Sequence, residues 1–359
     1  MTAEIVIMNK RGVAASADSA VTVGEKTFND AEKLFNLLTD KPIGILIFNG
    51  SEINGIPVEL IIKEYRATKK NTNYASLFEY VQDFQKFMKC FIRQHIGAFD
   101  PLLGAFDDFL IVSDGLKQMD VIKQNLKDVA PIVKVSKTID IEHKVTKYLD
   151  IRKKYLQPQN LDIKEIVDTF ITFVNKSPVS SMYTGFAIFG YGDKDIYPKT
   201  YVFHSVGFVT HKIFKTFLEE KHESKDDIIQ LAQRDISDMF IFGLPLHLKK
   251  DIKTIYNNVV AKIFNSIGIK DPAIKGIVEN SLAECSVQVD KTVTGGRLLN
   301  LQQSLPHLSL DDLSNLSETL INLECLKNRA SLDIESVGGE VKTAIISKYE
   351  GFSWKNDKK

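Results

Sequence analysis

The chain has 359 residues, of which 44% are hydrophobic and 26% charged, a composition typical of globular proteins. Lys and Arg total 46, as do Asp and Glu, so the formal net charge is zero and gives no general attraction to nucleic acid or to an anionic membrane. No run of about 18 apolar residues could span a bilayer and the first residues lack the apolar core of a signal peptide, so we expect a cytoplasmic protein with no nucleic-acid or membrane partner.

The first part of the chain predicts β-structure. Residues 3–9 (AEIVIMN) form an apolar run, a turn follows at Lys10-Arg11-Gly12, and residues 13–22 (VAASADSAVT) predict a returning strand of small residues. Residues 43–50 (IGILIFNG) are apolar up to the closing Gly50, a pattern that indicates a strand buried on both faces. We therefore expect a sheet that lies between other layers.

Helices are predicted next, at 56–65 and 75–95. The second segment carries an apolar stripe at helical spacing, which favours a core helix over a cofactor site. Its members are Leu77, Tyr80, Val81, Phe84, Phe87 and Met88.

The rest of the chain mixes both patterns. Helices are predicted at 116–128, 162–175, 225–241, 248–266, 272–290 and 308–327, and strands at 107–113, 130–136, 183–192, 199–208 and 340–348. Ser309, followed by Asp311-Asp312, is a candidate N-cap for the last helix. Strands in blocks alternating with helices in blocks, without a linker, predict one α+β domain with antiparallel sheets.

Signatures of common sites are missing. The sequence has no phosphate loop, no dinucleotide fingerprint, no HExxH and no GxSxG, so it gives no reason to expect a metal or a cofactor. Cys90, Cys285 and Cys325 have no metal-like spacing and lie in apolar, helix-like contexts. We expect all three to be buried thiols in a reducing compartment.

One charge in the predicted strands needs an explanation. Asp18 stands among small residues in the second strand, and a buried carboxylate without a partner costs several kcal/mol. Thr2 follows Met1, and its small side chain permits removal of the methionine. A terminal threonine carries a nucleophilic hydroxyl and, in its amine, a base. A lysine held by an aspartate would lower the pKa of both groups, and Lys33 is the candidate partner of Asp18.

These residues resemble a known superfamily. Thr2, the segment AASADSAVT (14–22), Lys33-Leu-Phe and ILIFNG (45–50) follow, in this order, the start of proteasome β-subunits and of the HslV-type and Anbu-type bacterial proteases. FAIFGYGDKDIYPKTYVF (186–203) and SVGGEVKTAIISKYEGFSW (336–354) resemble later strands of the same N-terminal nucleophile (Ntn) hydrolases. AQRDISDMFIFGL (232–244) is similar to a helix of less characterised bacterial proteasome-like proteins.

The resemblance implies a fold and a layout. It implies a four-layer αββα sandwich of two antiparallel sheets, formed by a single domain over 1–359 with large helical insertions. The core would comprise 1–65, 105–136, 180–210 and 330–354. The insertions would lie at about 66–104, 137–179 and 211–330.

The resemblance also implies roles for individual residues. Thr2 corresponds to the nucleophile, Asp18 to the structural aspartate and Lys33 to the lysine that polarises the nucleophile. Gly50 corresponds to the oxyanion-hole glycine, Thr22 to a residue that pairs with the substrate backbone, and Phe48 to the base of the specificity pocket.

A second group of residues in the family pattern departs from it here. The family's serine before a glycine pair corresponds to Val337, or to Ser336 with a register shift of one. Its partner aspartate corresponds to Ile334, with Asp333 next to it.

Three functions stay open on this basis. The first is a threonine peptidase that cleaves peptides or unfolded proteins through an acyl-enzyme, without a cofactor and as a homo-oligomer. The second is a catalytically inactive structural or binding subunit, and the third is an amidase of small molecules. Each residue also has a structural interpretation. Asp18 and Lys33 could form only a stabilising ion pair, and Gly50 could end a strand. Gly338-Gly339 could be a bulge or a close approach between sheets, which we favour over direct catalysis.

Overall fold

A computed structural model describes residues 2–23, 26–97, 99–131, 133–152, 162–176, 183–223, 226–243, 246–267, 272–290, 296–331 and 337–357. The chain forms two compact units. Unit 1 comprises residues 1–34 and 224–359, and unit 2 comprises residues 35–223. Unit 1 is therefore built from both ends of the chain.

Unit 1 contains a five-stranded antiparallel sheet in the order β12-β1-β2-β13-β14. Its strands are β1 (Ala3–Asn9), β2 (Gly12–Ala17), β12 (Asp227–Ala232), β13 (Lys342–Ser347) and β14 (Gly351–Trp354). A small hairpin joins β3 (Val21–Val23) and β4 (Lys26–Phe28). All residues of β1 and β2 are buried. The hairpin of β1 and β2 therefore lies in the interior of the five-stranded sheet.

Helices complete unit 1. They are α7 (Asp235–Phe242), α8 (Leu246–Ile267), α9 (Pro272–Asp290), α10 (Gly296–Ser304) and α11 (Leu310–Ala330). Helix α11 packs on β1, β2 and β13. Leu313, Leu320 and Ile321 of that helix form one hydrophobic cluster with Ile5 and Ile7 of β1.

Unit 2 contains a second five-stranded antiparallel sheet, in the order β11-β10-β9-β6-β5. Its strands are β5 (Leu34–Asn36), β6 (Ile43–Asn49), β9 (Thr184–Gly190), β10 (Lys199–Phe208) and β11 (Phe214–His222). The short strands β7 (Glu52–Ile53) and β8 (Ile56–Pro57) pair with each other.

Six helices belong to unit 2 in its described residues. They are α1 (Val58–Thr68), α2 (Leu77–His95), α3 (Pro101–Val112), α4 (Met119–Leu126), α5 (Ile139–Arg152) and α6 (Ile163–Lys176). Helices α1 and α2 share a hydrophobic cluster with the sheet, and α3 to α6 share a second one. Two antiparallel sheets, each with its own helical layer, confirm the predicted α+β class.

The strongest local patterns are confirmed. The predicted stripe on α2 is buried at Leu77, Tyr80, Val81, Phe84 and Met88. Helix α11 begins at the predicted N-cap, because the Ser309 side chain accepts a hydrogen bond from the amide of Asp312. The prediction of a single domain over the whole chain stays a prediction.

The strand predicted at 107–113 is wrong, because these residues belong to helix α3. The side chain of Asp100 caps that helix by accepting from the amide of Leu102, and Pro101 occupies its first turn. Leu102, Phe106 and Phe109 recur at helical spacing and are buried. These start signals outweighed the β-like composition of the segment.

The strand predicted at 130–136 is also absent from the described residues of that segment. The backbone of this segment forms hydrogen bonds with the C-terminal end of helix α6. The amide of Val133 donates to the carbonyl of Asn175, and the amide of Val135 donates to the Asn175 side chain.

The helix predicted at 225–241 is a strand followed by a short helix, β12 and α7. Tertiary pairing with β1 over Ala3–Met8 decides the conformation of β12. The region 211–330, predicted as a helical insertion, therefore contributes β11 and β12 to the two sheets. Pairing between distant segments overrides local propensity in such cases.

Cysteine burial is confirmed for Cys325 and wrong for Cys90, which lies on the exposed side of α2. The side chain of Cys285 lies outside the described residues. In the part of the chain that the structure describes, every helix is too short or too polar to cross a membrane.

Candidate active site around Thr2

Strand β1 places two polar side chains at the start of the unit 1 sheet. Thr2 immediately precedes the strand, and Glu4 lies two residues later, so both side chains point to the same face. The carbonyl of Thr2 accepts a hydrogen bond of 2.8 Å from the amide of Gln233. The Thr2 side chain is thus held by a backbone that is paired on its β12 side.

Asp18 organises the site. It follows β2, is 2% exposed and uses both carboxylate oxygens. Oδ1 accepts from the Ala3 amide at 3.0 Å and from Lys33 Nζ at 2.6 Å. Oδ2 accepts from the amides of Ala20 at 3.2 Å and Gly338 at 3.0 Å. Four donors satisfy the buried carboxylate, and one of them is the amide next to Thr2.

Lys33 and Glu4 extend the cluster to Thr2. The Lys33 ammonium is 3% exposed and lies 4.0 Å from Glu4 Oε1. The Thr2 hydroxyl donates to Glu4 Oε2 at 3.2 Å. A chain of contacts therefore runs from Asp18 through Lys33 and Glu4 to Thr2.

The cluster contains more acidic groups than basic ones. It holds two carboxyl groups and one ammonium, all buried. Burial raises the pKa of the Glu4 carboxyl to about 8; the Lys33 charge opposes this shift and the Asp18 charge adds to it. Glu4 Oε1 has no hydrogen-bond partner among the described residues. The Glu4 carboxyl therefore keeps its proton to a higher pH than an ordinary glutamate does.

A glycine pair closes the loop behind Asp18. The amide of Ser19 donates to the carbonyl of Gly338, and Gly339 adopts a positive φ of 75°. A Cβ at Gly339 would lie 2.3 Å from Ser19 Oγ and 3.0 Å from the carbonyl of Asn29. The glycine pair therefore lies against the loop after β2 and brings a donor to Asp18, whereas a bulge or a close approach between sheets at Gly338-Gly339 stays a prediction.

Helix α11 borders the cluster through Cys325. Burial raises the pKa of this thiol to about 11, and the charge of Asp18 adds to the shift while that of Lys33 opposes it. A thiol with this pKa is protonated at neutral pH, so Cys325 is a structural neighbour and not a second nucleophile.

Of the six residues predicted for the site, the structure joins three in one cluster: Thr2, Asp18 and Lys33. Thr22 lies in the same unit, on β3, where its strand partner is Thr27. Gly50 and Phe48 belong to unit 2 and are described there.

Gly50 follows β6 and approaches the start of β9 closely. A Cβ would lie 2.6 Å from Thr184 Oγ1 and 3.0 Å from the carbonyl of Tyr183. The position therefore requires glycine for packing, whatever further role its amide has.

Phe48 is buried in an aromatic group. Its ring meets His204 edge-on at 5.7 Å and Tyr183 at 6.4 Å between centroids. It also covers Gly185, where a Cβ would lie 2.2 Å from the ring. The side chain is therefore a packing element of the unit 2 sheet.

The predicted second group of residues is mostly outside the described part of the chain. Ser336, Ile334 and Asp333 lie there. Val337 is described and is fully buried in the hydrophobic cluster of unit 1.

Sequence reasoning missed Glu4. It treated residues 3–9 as a plain apolar run, although Glu4 is the one charged residue in it. A carboxylate inside a buried strand, two residues after a candidate nucleophile, is the signal that could have found it.

No protein-family profile and no curated protein matches the chain. Among solved structures, the chain is similar to Anbu, an ancestral β-subunit from Yersinia bercovieri, at 8% identity and a TM-score of 0.39. The alignment covers 98% of this chain and 86% of that one. Among the described residues, no group of three or more His, Cys, Asp or Glu side chains is arranged to hold a metal ion.

Proposed function

We propose that the chain is an N-terminal-threonine hydrolase that cleaves peptide or amide bonds through an acyl-enzyme at Thr2. The observation that carries this proposal is the buried Lys33–Asp18 pair, 2.6 Å apart, whose aspartate also holds the amide next to Thr2. A buried ion pair is weak evidence for stability alone, because desolvation offsets much of its attraction. Its place beside a candidate nucleophile gives it a chemical purpose.

In the Ntn hydrolases that the sequence resembles, the nucleophile is the terminal residue, so the Met1–Thr2 bond would first be cleaved. The Thr2 hydroxyl then attacks the carbonyl carbon of the scissile bond, and a base at the site takes its proton. Collapse of the tetrahedral intermediate expels the amine, which receives a proton, and leaves an ester on Thr2. Water hydrolyses the ester and restores the hydroxyl.

Lys33 and Asp18 have distinct parts in this cycle. The ammonium of Lys33 favours the ionised hydroxyl and the neutral amine by its positive charge. Asp18 fixes the position of that ammonium and, through the Ala3 amide, the backbone at Thr2. Both are positioning groups for the nucleophile.

Three further residues have roles that rest on the sequence resemblance. Gly50 would donate its amide to the oxyanion, a contact typically worth about 3–4 kcal/mol in the transition state. Thr22 would pair with the substrate backbone. Phe48 would form the base of the specificity pocket and make that pocket shallow or apolar.

A covalent probe tests the proposal. We expect a β-lactone or an epoxyketone to add one equivalent to protein that lacks Met1, as read by intact mass. Thr2→Ala should abolish the adduct, and the control Thr172→Ala on α6 should keep it. The same spectrum reports whether Met1 has been removed.

The outcome separates the three functions. No adduct on protein that lacks Met1 would reject catalysis and favour an inactive structural or binding subunit. If the adduct forms, cleavage of a labelled unfolded protein supports a peptidase, and turnover of small amides alone supports an amidase.

The resemblance carries three more expectations into this proposal: a homo-oligomer, a cytoplasmic location and a bacterial origin. Native mass spectrometry of the purified protein tests the first, since a monomer mass at micromolar concentration would reject it.

A further inference from the structure

Glu4 is a group at the proposed nucleophile to which neither the sequence resemblance nor the proposed cycle assigns a role. Its Oε2 accepts a hydrogen bond from Thr2 Oγ1 at 3.2 Å. Among the described residues, it is the group that bonds to the Thr2 hydroxyl directly. Proton transfer requires contact of this kind, within hydrogen-bond reach of the reacting atom.

The surroundings of Glu4 fit a group that changes its protonation state. The side chain is fully buried, and Oε1 faces Lys33 Nζ at 4.0 Å without a hydrogen bond. Lys33 donates to Asp18 at 2.6 Å, so its charge is largely matched by Asp18. An ionised Glu4 would leave a net negative charge in the cluster, and a protonated Glu4 would leave none.

Burial and the neighbouring charged groups determine the pKa of Glu4. Burial and the Asp18 charge oppose its ionised form, and the Lys33 charge favours it. On α11, the Cys325 thiol interacts with the charges of Asp18 and Lys33 and stays neutral, because burial raises its pKa to about 11. The pKa of Glu4, raised to about 8, lies near neutral pH, where a general base acts best.

We propose that Glu4 is the general base and acid of the proposed hydrolase and that it accepts the Thr2 hydroxyl proton directly. The inference rests on the proposed function. As the bond between Thr2 Oγ and the substrate carbonyl carbon forms, the Oγ–H bond breaks and the proton moves to Glu4 Oε2. As the C–N bond breaks, Glu4 returns that proton to the leaving amine. Glu4 then takes a proton from the attacking water, and that proton returns to Thr2 Oγ as the ester breaks.

This assignment differs from a cycle in which the Thr2 amine is the base. In that cycle, Glu4 is a hydrogen-bond acceptor that orients the hydroxyl. Glutamine preserves the shape of Glu4 and an acceptor oxygen but cannot take a proton. The two assignments therefore predict different behaviour for Glu4→Gln.

The experiment measures the rate at which a β-lactone acylates Thr2, by intact mass, between pH 6 and pH 9. A β-lactone requires only the hydroxyl nucleophile: the lactone C–O bond breaks as the ester forms, and the released alkoxide takes up a proton. Wild type, Glu4→Gln, Glu4→Asp and the control Glu284→Gln on α9 are compared. Urea midpoints establish that each variant is folded.

If Glu4 is the base, the wild-type rate rises with pH through about 8. Glu4→Gln should be about 10²–10⁴-fold slower and lose this rise, the range typical of a missing general base. Glu4→Asp should keep the rise at a reduced rate, and Glu284→Gln should match wild type.

A Glu4→Gln rate within about threefold of wild type, with the same pH profile, would overturn this role and leave the proposed function intact. Should Glu4→Gln fail to fold, Glu4→Asp carries the test, since a profile without the rise would overturn the role. Absence of acylation in wild type that lacks Met1 would reject the proposed function itself, and the role of Glu4 with it.

Discussion

At the scale of single residues, Asp18 is the most constrained side chain of the candidate site. It accepts hydrogen bonds from three backbone amides and from one ammonium. Each donor comes from a different stretch of unit 1, so the carboxylate connects β1, the loop after β2, Lys33 and the glycine pair before β13. We therefore expect its substitution to lower the free energy of unfolding as well as the activity.

We expect Asp18→Asn to lower the free energy of unfolding by about 3–5 kcal/mol, because it removes the carboxylate that pairs with the buried Lys33 ammonium at 2.6 Å. Urea denaturation measures the effect. Glu59→Gln, which breaks the exposed pair with Lys63 on α1, should cost about 1 kcal/mol or less. Adding Lys33→Met to Asp18→Asn should restore part of the loss. A double variant less stable than Asp18→Asn would contradict this account.

Glu4 predicts a dependence of stability on pH. Its carboxyl has an ordinary pKa of 4.5, and the folded chain raises it to about 8. Between these values the folded state keeps a proton that the unfolded state has released, so the contribution of Glu4 to stability falls as pH rises. We expect Glu4→Gln to gain stability relative to wild type between pH 5 and pH 8, by about 1.4 kcal/mol for each pH unit at most. A stability difference that is the same at both pH values would contradict the burial-driven shift.

At the scale of elements, the glycine pair before β13 determines how closely the loop after β2 can be packed. Gly339 has a positive φ, and the space where its Cβ would lie is occupied by Ser19 Oγ. Gly351, the first residue of β14, has a similar φ of 79° but no atom within 4 Å of its Cβ position. Substituting Gly351 therefore tests backbone strain alone, whereas substituting Gly339 tests backbone strain together with a steric clash.

We expect Gly351→Ala to cost about 1–2 kcal/mol, the penalty of a left-handed residue with a side chain. Gly339→Ala should cost about 1–3 kcal/mol more, because Ser19 must also move and its bond to the Asn29 carbonyl is disturbed. Urea midpoints of both variants give the comparison. Equal losses would mean that the loop after β2 relaxes freely.

At the scale of the whole molecule, the two units differ in how the chain builds them. Unit 2 is one continuous segment, and the two hydrophobic clusters described above for its helices draw only on residues within it. Unit 1 needs β1 and β2 from the start of the chain, and β12 to β14 and α11 from its last third. Closing such long loops costs entropy before the contacts form.

We therefore expect residues 35–223 to fold when expressed alone. Near-ultraviolet circular dichroism and a cooperative urea transition measure this. The matched fragment 1–223 adds β1 and β2 without their partners in the sheet, and it should gain no stability from them. A fragment 35–223 without a cooperative transition would contradict the independence of its core.

Local signals in the sequence were sufficient for several features. The stripe of α2 and the cap of α11 are encoded within one or two helical turns, so they could be predicted from periodicity and capping residues. The Asp18–Lys33 pair could be predicted because an unexplained charge in a strand of small residues requires a counter-charge nearby in the chain. These predictions depend on forces that act over short separations.

Tertiary structure decided the rest. Residues 227–232 form a strand because β1, more than 200 positions earlier, offers them an edge, and no local pattern contains that partner. Glu4 was hidden in an apolar run, and its importance arises from burial beside Thr2 and Lys33. The sequence by itself determined which residues could carry the chemistry. Only the tertiary structure brought a third charged group to the nucleophile, because pKa shifts and proton contacts depend on distances across the folded sheet.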